Sequence, residues 1–288
     1  MDLSIIIPLY HKAEDAAEHL PAVYPMLKAK YSSFEIIFII DNGSVTENVA
    51  AVYKLQEQYK EISVHRLNKN YGQHFATLCG YSLAKGDIIC SIDEDMTQYL
   101  NIADYTLLHN QYDALYYCYN KNKMYNSFTR KILSASFKLV VHKILNIEAH
   151  STFRLLNRTL VEKLLNTKHI FWNVDVMIYK NAENIKIEYI ALDGITDDNS
   201  GYNIPKLFRF AFEIVSEHIT VLAGFCVGLI PAVIYFLFNR NIQQTTLVYA
   251  AIVSVLIGIG FTAKKITLKT KDKIQEALSL HAGINSAA

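Results

Sequence analysis

The sequence carries no excess of charge of either sign: 28 Lys and Arg stand against 27 Asp and Glu in 288 residues. Binding to a general polyanion such as nucleic acid therefore has no electrostatic basis. Cysteine is scarce as well. Cys79, Cys90, Cys118 and Cys226 show no paired or metal-ligand spacing and fall in apolar segments. Buried free thiols in a reducing compartment are expected. No basic stretch or small-residue cleavage site precedes the first apolar run, Ile5-Ile6-Ile7-Pro8, so a signal peptide is not expected. No G-x-G-x-x-G follows that run and no G-x-x-x-x-G-K-[ST] occurs, which disfavours a dinucleotide oxidoreductase and a P-loop nucleotidase. Internal repeats and low-complexity tracts are missing too. The length allows one good core, or one core plus a small appended module.

What is present is an alternation. Short apolar runs at 3–8, 36–40, 62–67, 87–92 and 113–119 read as strands. Stretches of helical character at roughly 12–30, 46–60 and 71–84 lie between them. This pattern predicts βαβ units and a mostly parallel α/β sheet with helices on both faces. Ligands of such sheets bind beyond the carboxyl ends of the strands. Tyr10, Asp41, Asn42, Asp93 and Asp95 all fall there.

The last third is different. Ile219–Phe238 contains no charged residue, and its 20 residues reach roughly 30 Å as a helix, enough to cross a bilayer core. A second charge-free run, 247–263, follows a polar turn whose one cation is Arg240. Lys206 and Arg209 precede the first run, and Lys264, Lys265, Lys269, Lys271 and Lys273 follow the second. The positive-inside rule then places both chain ends on the cytoplasmic side of an integral membrane protein. The expected organisation is a cytoplasmic domain over 1–210, two transmembrane helices within 211–263, and a basic tail over 264–288. Residues 127–145 mix apolar and basic positions at helical spacing, which suits a helix in the headgroup region or an ordinary surface helix.

Ser91-Ile92-Asp93-Glu94-Asp95 sets acids at the mouth of an apolar strand. In extended geometry Asp93 and Asp95 point to one side. Two hard oxygen ligands of this kind suit Mg²⁺ or Mn²⁺ bridging to a diphosphate. A solvated turn with helix-capping acids is the blander alternative.

The ordered set of segments Ile5-Ile6-Ile7-Pro8-Leu9-Tyr10, Ile40-Asp41-Asn42-Gly43-Ser44, Asn70-Tyr71-Gly72, Ala84-Lys85-Gly86-Asp87, Asp93-Glu94-Asp95, Phe153-Arg154-Leu155-Leu156 and Ser200-Gly201-Tyr202 resembles glycosyltransferase family 2. The likeness is to its dolichol-phosphate mannose synthase-like branch and covers about residues 3–263. It implies a GT-A fold and transfer of a sugar from a UDP- or GDP-linked donor to a polyprenyl phosphate at the membrane. By the same resemblance, Pro8, Tyr10, Asp41, Asn42, Gly72 and Glu94 hold the donor, and Asp93 and Asp95 ligate Mg²⁺ or Mn²⁺. Arg154 binds phosphate and assists catalysis beside them. Thr152, Ser200 and Tyr202 meet the acceptor phosphate. A homo-oligomer is compatible with the branch.

The chain also departs from the family pattern. His11-Lys12 replaces Asn-Glu, Asn42 replaces an acid, Met96-Thr97 replaces Leu-Gln, and Thr152 stands where relatives carry Asp. Asp197, Asp198 and Asn199 replace basic residues near Ser200. A phosphate acceptor is already mostly ionised at neutral pH and needs no general base. A hydroxyl acceptor on a glycan or another lipid would need one, for which Glu94 or Asp175 are the candidates. The third alternative is a binding or scaffolding relative without turnover. The Gln-x-x-Arg-Trp motif of long polysaccharide synthases does not occur.

Overall fold

The structure is a computed structural model that describes residues 1–10, 13–41, 49–103, 108, 111–119, 147–148, 151–167, 173–190 and 270–279. Among these residues seven strands form one sheet: β1 (Leu3–Leu9), β2 (Phe34–Ile40), β3 (Ile62–Arg66), β4 (Ile88–Ser91), β5 (Ala114–Tyr119), β6 (Arg154–Asn157) and β7 (Ile185–Ile190). Their order is β3-β2-β1-β4-β6-β5-β7. β1 is buried along all seven residues, as expected of a central parallel strand whose only polar side chain is Ser4. β3, β2, β1 and β4 pair parallel, as do β5 and β7, whereas β6 runs antiparallel to both neighbours. The sheet is therefore mixed and mostly parallel.

Helices cover both faces. α1 (Ala13–Lys30) and α2 (Val49–Gln58) pack on one side, together with a 3-10 helix over Glu94–Asn101, against Ile5, Ile7, Phe38 and Leu155. Pro21 and Pro25 lie inside α1, but both are on its exposed side, where water can take the carbonyls they release. α3 (Gln73–Leu83), α4 (Arg158–Asn166), α5 (Val174–Asn181) and α6 (Thr270–Ser279) cover the other side. α3 lies directly on β1. A Cβ at Gly80 would come within 2.1 Å of Ile6 Cγ2, so only glycine allows this approach.

The far C-terminal helix α6 belongs to this core. Ile274 and Ala277 are each 1% exposed, and α6 packs on α3 and α4. Asn68 donates from its backbone N–H to Ala277 O at 3.4 Å and from Nδ2 to Glu276 O at 3.3 Å. Burying Ile274 alone stabilises this docking by about 1.5–3 kcal/mol. Cys79, Cys90 and Cys118 are buried free thiols. Cys226, the expected transmembrane runs and the amphipathic stretch 127–145 lie outside the described residues, and no described helix is long and apolar enough to cross a membrane.

Candidate active site

The parallel strands β1, β2 and β4 end on one edge of the sheet, which delivers Tyr10, Asp41 and Asp93 to the same side. β6 reaches that edge by its start, because it runs the other way. Its register pairs Arg154 with Ser91 of β4 on one side and Tyr116 of β5 on the other. Thr152 and Arg154, distant in sequence from the acids, thus arrive beside them. A small cavity opens here, lined by Pro8, Gln73, His74, Thr77, Ser91, Ile92, Asp93, Thr152 and Arg154.

The acids are not arranged as an extended strand would set them. β4 stops at Ser91, Asp93 keeps extended backbone angles, and Glu94 and Asp95 open the 3-10 helix. Strand alternation therefore does not set Asp93 and Asp95 on a common side: the strand ends too early. What unites Asp93 and Asp95 is electrostatics at a helix start. Burial raises the Asp93 pKa to about 6; the Thr152 hydroxyl bonded to it opposes this, Asp95 pushes it further up, Arg154 pulls it down, and Glu94 adds to the rise. Gln73 Nε2 also donates to Asp93 Oδ1. Glu94 is 7% exposed and accepts the Tyr10 backbone N–H at 2.9 Å, so it fastens the end of β1. The Tyr10 side chain itself is exposed.

Asp41 is 1% exposed. Its two carboxylate oxygens accept the backbone N–H groups of Tyr71, at 2.8 Å, and Gly72, at 2.7 Å. Burial raises its pKa and these two bonds counteract the rise. Gly72, at φ +90° and ψ 158°, begins α3, whose first residues Gln73 and His74 enter the cavity. Asp41 thereby acts on the site through a clamped loop, and it is not among the cavity's lining residues.

Arg154 is 2% exposed. Its Nε–H donates to Ser151 O at 2.8 Å, its Nη2 stands 3.2 Å from Asp175 Oδ1, and its guanidinium carbon lies 6.0 Å from the centre of the Tyr116 ring. Burial works against the charge, but Asp175, then Tyr81 and Tyr116, outweigh it and hold Arg154 ionised. Ser91 Oγ shares a hydrogen bond with Tyr81 OH at 2.9 Å and donates to Thr152 O at 3.2 Å, joining this buried pair to the Asp93 side of the cavity.

Pro8, Asp93, Thr152 and Arg154 thus share the cavity, while Tyr10, Asp41, Gly72, Glu94 and Asp95 are not among its lining residues. Asn42, Ser200 and Tyr202 lie outside the described residues. Gln73, His74, Thr77, Ser91 and the anchoring role of Asp175 escaped the sequence reading. For Gln73 and His74 a signal was available, since they follow Asn70-Tyr71-Gly72 directly. Among the described residues no cluster of three or more His, Cys, Asp and Glu side chains forms a ready metal site. The donor set nevertheless fits a cation shared with a substrate: the hard carboxylate oxygens of Asp93 and Asp95, half-buried and mutually repelling, of the number that Mg²⁺ takes when phosphates complete its shell.

A sequence model of the family described as Glycosyl transferase family 2 matches residues 4–100. Undecaprenyl-phosphate 4-deoxy-4-formamido-L-arabinose transferases from Salmonella choleraesuis and Salmonella newport are each 32% identical over 94 residues, which is 33% of this chain and 29% of theirs. The chain thus aligns with less than a third of the length of these curated relatives. Crystal structures of Mycobacterium tuberculosis glucosyl-3-phosphoglycerate synthase share the fold. The first has a TM-score of 0.53 at 10% identity, covering 76% of this chain and 80% of the other. A complex with Mn²⁺, UDP and phosphoglyceric acid gives 0.54 at 13%, covering 76% and 78%. The fold is therefore GT-A-like. The sequence match to glycosyltransferase family 2 spans about a third of the chain.

Proposed function

We propose that this chain is an inverting glycosyltransferase that moves a sugar from a nucleoside diphosphate to a polyprenyl phosphate at the cytoplasmic face of a membrane. The observation that carries this reading is the meeting of Asp93 with Arg154 and Thr152 in one cavity at the carboxyl edge of the sheet. The undecaprenyl-phosphate sugar transferases among the relatives support the lipid acceptor, and the neighbour crystallised with Mn²⁺ and UDP supports the donor and its cation.

Asp93 and Asp95 would hold Mg²⁺ or Mn²⁺, which offsets negative charge on the diphosphate. The remaining work is done by the chain. The Thr152 hydroxyl and Gln73 orient the Asp93 carboxylate. Arg154 offers directed N–H groups toward phosphate oxygens. Asp41 and Gly72 set the loop that carries Gln73 and His74 to the donor. An acceptor phosphate oxygen then forms a bond to the anomeric carbon as the bond to the diphosphate breaks, and the electron pair leaves with the nucleoside diphosphate. No proton has to be removed, because a phosphate monoester with a second pKa of about 6 is already mostly dianionic at pH 7. Positioning and charge stabilisation suffice.

The membrane arrangement is part of the same proposal: helices at about 219–238 and 247–263, with the domain and both flanks on one side. The docking of α6 supports it. β7 ends at residue 190 and α6, from residue 270, packs on α3 and α4 of the same domain, so an even number of crossings between them is required. A polyprenyl phosphate keeps its head in the interface, which is where such a hairpin would hold the cavity.

Membranes containing the chain, supplied with radiolabelled nucleotide sugars and Mn²⁺ or Mg²⁺, test the reading. Label is expected in an organic-extractable, mild-acid-labile lipid. Label in a glycan, or in no product with any donor, would overturn it.

A further inference from the structure

The buried pair behind the cavity assigns a role to a residue that the transfer reaction does not touch. We infer that Asp175 is a positioning residue for Arg154, locked in place by Tyr116, and that it does not serve as a base. The inference rests on the transfer reading above.

Asp175 lies in the first turn of α5 and is 3% exposed. Its Oδ1 accepts the Tyr116 hydroxyl at 3.1 Å and faces Arg154 Nη2 at 3.2 Å. A second guanidinium nitrogen is also held: Nε donates to Ser151 O at 2.8 Å. A planar fork fixed at two nitrogens, and bonded to Tyr81 as well, cannot swing, so its remaining N–H groups have fixed directions. Arg154 lines the cavity and Asp175 does not. The carboxylate therefore stands behind the guanidinium as seen from a bound substrate. A general base must come within about 2.6–3.2 Å of the heavy atom whose proton it takes, or one water away. A proton arriving on Asp175 would also leave the guanidinium buried without its counter-charge, which is costly.

Two consequences follow for the site. Arg154 supplies oriented hydrogen bonds but little net charge, because Asp175 cancels it. The charge of a diphosphate must then be met elsewhere, and Asp93 and Asp95 are where a cation can do so. An acceptor that needs deprotonation finds no help from Asp175, which favours an acceptor already ionised.

The test uses the full chain in detergent, with Tyr116→Phe, Asp175→Asn and Asp175→Glu first compared by thermal melting. Tyr116→Phe keeps the ring and removes only the lock, so it stays informative if the Asp175 variants fold poorly. Misplacement of a group by about 1 Å costs up to roughly 100-fold in rate. The kcat of Tyr116→Phe is expected to fall about tenfold with the donor KM nearly unchanged, and that of Asp175→Asn to fall further, with Asp175→Glu recovering part. The kcat–pH profile of Asp175→Asn keeps its shape. Loss of an acid limb from that profile would make Asp175 a base and overturn the proposal, as would unchanged kcat in Tyr116→Phe.

A second readout needs no turnover. The chain has six arginines, so ¹⁵N-arginine labelling gives a simple spectrum. The Arg154 Nε–H signal should exchange slowly in the parent chain and faster in Tyr116→Phe. Equal exchange overturns the positioning role. The expected exchange response in a chain that turns over no donor keeps that role and overturns the transfer reading instead.

Discussion

Gly72→Ala perturbs the donor side of the site with the least collateral change. Gly72 has φ +90° and ψ 158°, and nothing lies within 4 Å of the Cβ that alanine would add. Steric crowding by neighbours therefore contributes nothing, and the whole cost is backbone strain. That region is essentially reserved for glycine, at about 1–3 kcal/mol for other residues. Taking about 2 kcal/mol, and roughly 2–4 °C per kcal/mol for a domain of 150–250 residues, the melting temperature should fall by about 4–8 °C. The chain can bear this strain, or it can flip the peptide and release the 2.7 Å bond from Gly72 N–H to Asp41. A double-mutant cycle with Asp41→Asn separates the two. If the loop flips, the clamp is already lost in Gly72→Ala and the second change adds little; if it bears the strain, the effects add. Donor affinity falls in the first case, because Gln73 and His74 move with the loop. An unchanged melting temperature in Gly72→Ala would refute the strain argument.

Other perturbations are expected to act on stability away from the chemistry. Asp113 accepts the backbone N–H groups of Glu183 and Asn184, at 2.8 and 3.2 Å, and Asn157 Nδ2 at 3.0 Å. Burial opposes its ionisation, but these bonds prevail and hold its pKa below the usual value. Its contribution is thus present above the unfolded value of about 3.9 and lost as pH falls through the lower folded one. Asp113→Asn should cost about 1–2 kcal/mol at neutral pH and flatten the acid end of a plot of melting temperature against pH, with little change in transfer rate. Gly80→Ala should cost about 1–3 kcal/mol by overpacking against Ile6, and a parent-like melting temperature would mean that α3 does not rest on β1 as described. Ile274→Asp should speed amide exchange across α6 while leaving β1 protected; unchanged exchange would contradict the docking of α6.

The first half of the sheet was legible because its strands are buried on both sides. β1 and β2 read as apolar runs, broken only by Ser4 and Glu35 near their starts, since both faces are almost wholly covered. β6 escaped notice: it has four residues, one of them Arg154, and only its partners β4 and β5 reveal it as a strand. β7 escaped for the opposite reason. It is an edge strand, half-buried with Tyr189 exposed, so its apolar pattern is diluted by Lys186 and Glu188. At the site, the acids were visible because they punctuate a strand. Their geometry was not, because where β4 would hand over to a 3-10 helix depends on packing with α1. The partnership of Arg154 with Asp175 and Tyr116 joins three separate elements, and no spacing in one sequence discloses it.

Divalent-cation dependence of donor binding bears most directly on the proposed chemistry. Calorimetric titration of the full chain with UDP and with GDP, with and without Mn²⁺, should show one nucleotide binding at least tenfold tighter with the cation, or about 1.4 kcal/mol. Replacing both Asp93 and Asp95 by Asn should erase that difference while the melting curve stays cooperative. Retention of the full Mn²⁺ effect by the doubly substituted chain would contradict the site as described.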